Sequence, residues 1–403
     1  MLAIINLSLA VCTLLLGCAS SVAVGQSTDS LPKGFATQRN GKFEVDGKPF
    51  VVDPADHTVN QAFVGANSYW LPLLTSENDV RATFREMQGA GIKVLRTWGF
   101  NAINGSELAG AKQSGLTYYQ VWNSNEWELN DGPQGLERLD FVVKTAGDYG
   151  IKIILAFTNN WLLVDFQGWI WKRYVTTIVN RYKSSPNIFA WEMMNEARCL
   201  GDLPAGPNCA PGTELLTKWY KQQTDFVRSL SAGEDFDEEL FLENVDFGTY
   251  HLYPQTWYPE LDFPGSNFTV EDWGLQWIQM HADCKYLPTK TIEVDILIFV
   301  FFSAAKKANK PVILEEFGLI GIHNKSTIYP TWVDLALKTE HGIMPWQFGM
   351  LGLKENNGNR LIKYADALID GASPNDGFAI YQNQTAVWNI FTNAAKVQAS
   401  RSG

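Results

Sequence analysis

Seven short apolar runs of strand length alternate along the chain with amphipathic segments of helix length. The runs occupy residues 63–69, 92–98, 151–157, 188–193, 245–252, 312–316 and 343–348. Helical periodicity is clearest in 77–88, 135–149, 171–182 and 214–230. This order is typical of an α/β fold in which helices cover a parallel sheet. The chain has 403 residues, and one (β/α)8 TIM barrel needs roughly 250, so a single barrel is the predicted architecture.

Two glutamates follow or end apolar runs of this kind. Glu196 comes after 188–193, and Glu316 ends 312–316, 120 residues further on. A carboxylate is costly beside a buried strand, so the pair predicts one site assembled from distant strands. A glycosidase needs two such groups, one to protonate the leaving oxygen and one to attack the sugar or activate water. For either glutamate alone, an ordinary acidic strand end at the surface is the alternative.

Short motifs around these residues extend the pattern. They are GANSYW at 65–70, VLRTWGFN at 94–101, FTNNW at 157–161, WEMMNEAR at 191–198, DFGTYHLYP at 246–254, PVILEEFG at 311–318 and MPWQF at 344–348. In these motifs the chain resembles glycoside hydrolase family 5, and within it the secreted fungal and plant endo-β-1,4-mannanases. The motifs follow the family's order, and the resemblance covers most of residues 35–395.

The resemblance implies a role for each matching residue. Glu196 is expected to be the general acid/base, which must carry a proton, and Glu316 the nucleophile of a retaining double displacement. Side chains alternate along a strand, so only one of Glu315 and Glu316 is expected to face the site. The substrate-binding residues that it implies are Arg96, Asn160, Trp161, Asn195, Arg198, His251, Tyr253 and Trp346.

Four of these residues receive specific tasks from the resemblance. Arg96 and Tyr253 are expected to hold the nucleophile ionised by hydrogen bonding. Asn195 is expected to bind the sugar 2-hydroxyl, and Trp346 to form the floor under the sugar at the scissile bond.

Composition excludes several classes of function. The net charge of −11 disfavours nucleic acid and anionic membranes as partners. The chain lacks a P-loop, a G-x-G-x-x-G motif and a G-x-S-x-G elbow, so nucleotide and serine-hydrolase chemistry are disfavoured and no cofactor is expected. No metal is expected either, because the cysteines lack CxxC spacing and the five histidines are scattered. A monomer that binds a polysaccharide of the β-mannan type is predicted.

The first 25 residues form a segment of their own. An apolar stretch at 2–16 is followed by small and polar residues at 17–25, which fits a cleaved secretory signal peptide and an extracellular mature chain. A lipid anchor at Cys18 is the alternative, because 15–18 loosely resemble a bacterial lipoprotein box. Sequons for N-glycosylation occur at Asn104, Asn267, Asn324 and Asn383.

The mature chain then contains an odd number of cysteines, Cys199, Cys209 and Cys284. Cys199 follows the Asn195–Glu196 turn and Cys209 closes a Gly/Pro-rich loop, so a disulfide between them would pin the rim of the site. Cys284 is left over.

Two departures from the family pattern concern the domain, which is expected to be a single catalytic barrel over residues 31–400. A fifth barrel strand is not recognisable before the acidic stretch at 234–235, so the barrel would be incomplete. Residues 285–303 form an atypical inserted segment with an apolar run at 296–302. The hypothesis that explains both is an imperfect gene model with a retained intron and skipped exons.

The predicted function is endo-hydrolysis of β-1,4-mannosidic bonds in mannan, galactomannan or glucomannan. An endo-β-1,4-glucanase of the same family is the first alternative, because two catalytic carboxylates do not distinguish glucose from mannose. A catalytically impaired carbohydrate-binding relative is the second, since a missing strand would damage the site.

Overall fold

Short strands in four sheets make up the β structure of the described residues. The structure is a computed structural model that describes residues 33–39, 41–50, 63–123, 126–159, 168–197, 214–230, 245–262, 268–281, 310–354 and 371–400. The strands are β1 (Ala36–Arg39), β2 (Lys42–Val45), β3 (Lys48–Pro49), β4 (Gly65–Asn67), β5 (Val94–Trp98), β6 (Ala102–Asn104), β7 (Gln120–Asn123), β8 (Glu126–Leu129), β9 (Lys152–Ala156), β10 (Ile188–Glu192), β11 (Gly248–Leu252), β12 (Val312–Phe317) and β13 (Gly342–Pro345). Each of the seven predicted strand runs overlaps one of them: five contain the strand, and β12 and β13 extend one residue beyond theirs.

Those seven strands form an arc of parallel strands. One sheet has the order β10-β9-β5-β4 and another the order β11-β12-β13, and all of their pairs are parallel. An isolated parallel bridge between Val64 and Ile343 links β4 to β13 and joins the two sheets. Within the described residues β10 does not pair with β11, and the unrecognised fifth strand would lie between these two. The predicted parallel α/β architecture is therefore confirmed, as an arc that is open at this one place.

The helices of the described residues follow the strands in alternation. They are α1 (Glu77–Gly89), α2 (Leu108–Ser114), α3 (Leu136–Asp148), α4 (Gly168–Tyr182), α5 (Glu214–Leu230), α6 (Pro254–Trp257), α7 (Val270–His281), α8 (Ile322–Lys338) and α9 (Thr385–Ser400), with 3-10 turns at Leu71–Leu73, Gly105–Glu107 and Pro259–Asp262. α1 shows why such segments fold: the Ser76 hydroxyl accepts from the Asp79 N–H as an N-cap, and Val80, Phe84 and Met87 bury one helix face. The four predicted helices agree with α1, α3, α4 and α5 within a few residues.

Aromatic packing closes the end of the arc where the strands begin. Phe43, on β2, lies 6.0 Å from Phe63, 5.1 Å from Phe189 and 5.0 Å from Phe247, measured between ring centroids. These residues come from four distant parts of the chain, so the small antiparallel sheet β1-β2-β3 covers this end of the core. The opposite end, where the parallel strands finish, is left for polar side chains.

The remaining predictions about chain organisation fall on parts that the structure does not describe. The leader at 1–25, the inserted segment at 285–303 and the stretch at 231–244 all lie outside the described ranges. The signal peptide, the single catalytic domain and the atypical insert therefore stay predictions. No helix among the described residues is long and apolar enough to cross a membrane.

Candidate active site

Polar side chains gather where the parallel strands end. Asn67 ends β4, Arg96 lies in β5, Glu192 ends β10, His251 lies in β11, and Glu315 and Glu316 lie in β12. Asn195 and Glu196 follow β10, Tyr253 follows β11 and Trp346 follows β13. Parallel strands that start at one end of a barrel finish together at the other, which is where sites form in this architecture. The structure brings together seven of the ten predicted site residues: Glu196, Glu316, Arg96, Asn195, His251, Tyr253 and Trp346.

Arg96 is the buried centre of this group. Its Nε and Nη2 donate to the two carboxylate oxygens of Glu192 at 2.7 and 2.6 Å, and Nη2 also donates to Asn195 Oδ1 at 2.8 Å. Its Nη1 donates to Asn67 Oδ1 at 3.1 Å and to Glu316. Every guanidinium nitrogen is therefore used, and a fully buried cation is stabilised by carboxylates on two different strands.

Glu316 accepts a second hydrogen bond on its other oxygen. The Tyr253 hydroxyl donates to Glu316 Oε2 at 2.8 Å. Burial, followed by the charge of Glu316, raises the pKa of Tyr253 well above its ordinary value. The phenol therefore stays protonated and acts as a hydrogen-bond donor. Glu316 is thus held from two sides, by Arg96 on β5 and by Tyr253 after β11. Its carboxylate cannot rotate without losing one of these bonds.

Glu196 lies across from Glu316 on the turn after β10. Its backbone has a φ of +49°, in the left-handed region that residues other than glycine seldom adopt, which turns the chain sharply beyond the strand. Its Oε1 lies 3.4 Å from His251 Nδ1, and the same nitrogen lies 3.4 Å from Glu316 Oε2. One oxygen of each carboxylate lies within 4.8 Å of the other. His251 therefore stands between the two carboxylates.

The expectation that only one of Glu315 and Glu316 faces the site is wrong. Both are buried, Glu315 Oε1 lies 3.5 Å from Arg96 Nε, and its Oε2 lies 3.6 Å from His251 Nε2. The pairing of β11 with β12 shifts by one residue here, because Tyr250 pairs with Leu314 but His251 pairs with Glu316. A β-bulge breaks the strict alternation of faces, so consecutive glutamates both reach the charged cluster.

The charges around His251 favour its protonated form. Burial by itself opposes protonation, but Glu316, Glu196 and Glu315 outweigh it and raise the pKa of His251 to about 10. Burial likewise opposes ionisation of Glu315, yet Arg96 and His251 prevail and lower the pKa of that carboxyl. Arg96 and His251 thus place two positive charges among the carboxyl groups of the site.

Glu192 is a fourth acidic group that the sequence analysis passed over. Burial raises its pKa to about 7, against the opposing effect of Arg96. Its signal was available, since a carboxylate inside the apolar run at 188–193 needs a buried cation. Asn67 was also missed, and its Nδ2 donates to the carbonyl oxygens of Glu315 and Met344 at 2.8 and 3.1 Å. Asn67 therefore connects β4 to the ends of β12 and β13.

An aromatic wall lies beside the carboxylates. The ring of Trp346 stacks on that of Tyr69, with centroids 5.5 Å apart and planes 7° from parallel, and Tyr69 lies 4.9 Å from Trp98. The Trp346 indole donates to Asp376 Oδ2 at 2.6 Å, which fixes the ring from its far edge. Sugar rings present apolar faces that pack on surfaces of this kind.

A cleft of about 310 Å³ opens beside the acidic cluster. Its lining includes Glu192, Glu196, His251, Glu315 and Trp257. Trp257, at the end of α6, is one of the most exposed large side chains of the described residues. Glu192, Glu196 and Glu315 thus border an open groove.

The ligand atoms of Glu196, His251 and Glu316 are close enough together to hold a metal ion. Metal ligation requires a ring nitrogen that carries no proton. A pKa of about 10 instead favours the imidazolium form of His251 at neutral pH, in which both ring nitrogens are protonated. The absence of a metal requirement remains a prediction from the sequence.

The other predicted site residues lie outside the described ranges. These are Asn160, Trp161 and Arg198, predicted to bind substrate, and Cys199 and Cys209, predicted to form a disulfide. Their positions relative to the carboxylates are therefore not tested.

Comparison with known proteins points in the same direction as the motifs. The family model described as "Cellulase (glycosyl hydrolase family 5)" matches residues 60–351. The chain is 30% identical to mannan endo-1,4-beta-mannosidase F of Aspergillus clavatus, over 88% of this chain and 77% of that protein. It is 29% identical to mannan endo-1,4-beta-mannosidase A of Podospora anserina, over 91% of this chain and 93% of the relative.

Solved structures agree with the fold. The endo-1,4-beta-mannanase from Rhizomucor miehei superposes with a TM-score of 0.66 at 26% identity, covering 91% of this chain and 99% of that one. The endo-beta-1,4-mannanase from Thermotoga petrophila gives a TM-score of 0.62 at 26% identity, over 84% and 77% of the two chains. The family resemblance inferred from the motifs is confirmed, and with it the (β/α)8 TIM-barrel fold class.

Proposed function

The chain belongs to glycoside hydrolase family 5, and from this premise we propose that it is a retaining endo-β-1,4-mannanase. Its substrates are mannan, galactomannan and glucomannan, cleaved at internal bonds. The observation that carries the hydrolase proposal is the pair Glu196 and Glu316, with carboxylate oxygens within 4.8 Å of each other. The choice of mannan rests on relatives that are named mannan endo-1,4-beta-mannosidases and match about nine-tenths of the chain.

The spacing of the carboxylates supports double displacement. Retaining glycosidases hold the two carboxyl groups about 5–5.5 Å apart, whereas inverting enzymes leave about 6.5–9.5 Å for a water molecule. In the first step Glu316 bonds to the anomeric carbon while the glycosidic bond breaks and Glu196 gives its proton to the leaving oxygen. In the second step water attacks the anomeric carbon, Glu196 takes the proton of the water, and the bond to Glu316 breaks.

The surroundings of Glu316 suit a nucleophile. Arg96 and Tyr253 donate to separate oxygens of its carboxylate, which stabilises negative charge and fixes its direction of attack. Protonated His251 adds a positive charge between the two acids. Asn195, held by Arg96 at 2.8 Å, is positioned beside Glu196 to bind the sugar 2-hydroxyl.

We place the enzyme outside the cell, with residues 1–25 removed as a signal peptide. Asn104 and Asn383 are exposed and offer sequons to a glycosylation machinery, and Asn324 lies partly buried on α8. A polysaccharide is too large to enter most cells, so a secreted monomer would meet it directly. Size-exclusion chromatography and N-terminal sequencing of the secreted protein test these points.

An endo-β-1,4-glucanase remains a second candidate, because the matching family model is itself described as a cellulase. An impaired carbohydrate-binding protein is favoured by the opening of the arc between β10 and β11 in the described residues. Both alternatives keep the aromatic wall and the groove, and they differ from the proposal in what is cleaved.

The deciding experiment is reducing-end release from mannan, galactomannan, glucomannan and carboxymethylcellulose by the purified full chain. Turnover of the mannans is expected, and Glu316→Gln should abolish it while Glu137→Gln, at an exposed position on α3, should not. Proton NMR of mannohexaose cleavage should show the β-anomer first. Release from carboxymethylcellulose alone would establish the glucanase, and a folded chain inactive on all four would establish the impaired relative.

A further inference from the structure

Lys325 on α8 is buried, although lysine is among the residues least often found inside proteins. Its ammonium group donates to three consecutive carbonyl oxygens, those of Gly377 at 2.9 Å, Phe378 at 2.8 Å and Ala379 at 3.2 Å. It also lies in the first turn of α8, where the helix dipole disfavours a positive charge. Burial of the ammonium group and its place at the start of the helix both cost free energy. This indicates that the hydrogen bonds from Lys325 to the loop have a structural role.

The loop that Lys325 binds, residues 375–380, contacts the site at two points. At the first, Asp376 Oδ2 accepts from the Trp346 indole at 2.6 Å and from Gln347 Nε2 at 3.0 Å. Its other oxygen accepts from the Phe378 N–H at 3.0 Å, which ties the carboxylate to the same loop. The direction of the Asp376 carboxylate, and so of the Trp346 ring, depends on the path of this loop.

At the second point, Phe378 packs against Tyr253. Their ring centroids are 5.3 Å apart with the planes 71° from parallel. Gly318 makes room for both rings, because a Cβ atom there would lie 2.6 Å from the Phe378 ring and 2.7 Å from the Tyr253 ring. Tyr253 in turn donates to Glu316 at 2.8 Å. One loop thus borders both the aromatic wall, through Trp346, and Tyr253, which holds the nucleophile.

We propose that Lys325 is a positioning residue for the reaction, which acts by fixing the 375–380 loop against Trp346 and Tyr253. The expected loss of activity rests on the proposed glycosidase function. The fixing of the loop rests on the contacts alone. Burial lowers the pKa of Lys325 to about 8, opposed by Asp376, which agrees with an ammonium group that depends on its carbonyl partners. Removing it leaves three carbonyl groups without that donor and frees the loop to move.

The test compares Lys325→Met with Lys338→Met, the same substitution at an exposed position of the same helix. Kinetics are measured on mannohexaose at 25 °C, together with hydrogen exchange of the 375–380 amides and urea unfolding. We expect Lys325→Met to lower kcat/KM about 10- to 100-fold, through a higher KM from Trp346 and a lower kcat from Tyr253. Exchange of the loop amides should accelerate while the variant remains folded, and Lys338→Met should match the original chain.

Asp376→Asn tests the loop from its other end and covers the case in which Lys325→Met does not fold. An amide has one acceptor oxygen, so the side chain can accept either from Trp346 and Gln347 or from the Phe378 N–H, but not from both, and KM should rise at least as much as kcat falls. If folded Lys325→Met keeps both the kinetic constants and the loop protection of Lys338→Met, the inference is wrong, even if mannan is hydrolysed. If the original chain hydrolyses nothing, the proposed function fails, and hydrogen exchange alone then decides whether Lys325 fixes the loop.

Discussion

The two faces of β11 border histidines in opposite environments. On one face His251 lies among carboxylates, and its pKa is raised to about 10. On the other face the Tyr250 hydroxyl forms a hydrogen bond with His341 Nδ1 at 2.8 Å, and the Tyr250 ring stacks on His281, with ring centroids 4.1 Å apart. Burial lowers the pKa of His281 to about 4 and that of His341 to about 3.

Burial acts on all three histidines in the same direction, so it does not explain the difference. What differs is the set of neighbours: acidic groups surround His251, whereas His281 and His341 face a phenol, backbone and each other. The comparison separates a face built to stabilise charge from a face built to exclude it. It also predicts that substitutions on the first face will affect activity, with or without a loss of stability, and that those on the second will affect stability alone.

The largest effect is expected from removing the cation of the charged face. Arg96→Met leaves Glu192, Glu315 and Glu316 buried without their shared partner, which should lower the free energy of unfolding by about 3–5 kcal/mol. Hydrolysis of mannohexaose should fall at least about 10²-fold. Urea unfolding and initial rates measure the two losses, with Arg96→Lys as an intermediate case. A stable and active Arg96→Met would show that the cluster does not depend on this charge.

Lowering the pH should destabilise the folded chain through the face of β11 that contacts His281 and His341. The unfolded chain protonates its histidines near pH 6.5, whereas folded His281 accepts a proton only near pH 4. The stability gained from neutral His281 is therefore complete above pH 6.5 and declines as the pH falls to 4, by an amount on the order of 3 kcal/mol. Urea unfolding at several pH values should show a smaller acid loss for His281→Asn. His323→Asn, at an exposed position on α8, should behave as the original chain; an equal acid loss in both would remove His281 from the account.

A smaller effect, mainly on activity, is expected from His251→Asn. The imidazolium contacts Glu196, Glu315 and Glu316, and hydrogen bonds to charged groups are worth about 1.5–3 kcal/mol. This corresponds to a loss of about 10- to 100-fold in kcat/KM. Steady-state kinetics on mannohexaose check it. Unchanged kinetics with a large loss of stability would mean that the two faces of β11 do not divide their roles as proposed.

The smallest effect should come from Tyr250→Phe. The substitution removes the hydroxyl that forms a hydrogen bond with His341 and leaves a buried ring nitrogen without this partner, which should lower the free energy of unfolding by about 1–3 kcal/mol. Activity at 25 °C should stay within about twofold, because the hydroxyl that is removed bonds His341. Paired urea unfolding and rate measurements test this. A strong loss of activity from this change would connect the two faces.

Much of the fold was predictable because periodicity reflects burial directly. Each of the seven apolar runs overlaps a described strand, and α5 has the predicted bounds, Glu214–Leu230. The charged cluster was predictable only in part. Motifs identified Arg96, Glu196, His251, Tyr253 and Glu316, but a strict two-residue period could not reveal the bulge that brings Glu315 to Arg96.

The sequence by itself determined the order of strands and helices and the family, and it predicted which two glutamates are the acids, since these depend on local patterns and motifs. Only the tertiary structure decided how the charges are shared. The pKa of a carboxyl or an imidazole depends on which groups lie within a few ångströms, and those groups come from strands separated by as many as 220 residues along the chain. For the same reason no local pattern connects Lys325 to Trp346. Lys325 binds carbonyl groups 52 and 53 residues further along the chain, and Asp376 of the same loop binds Trp346.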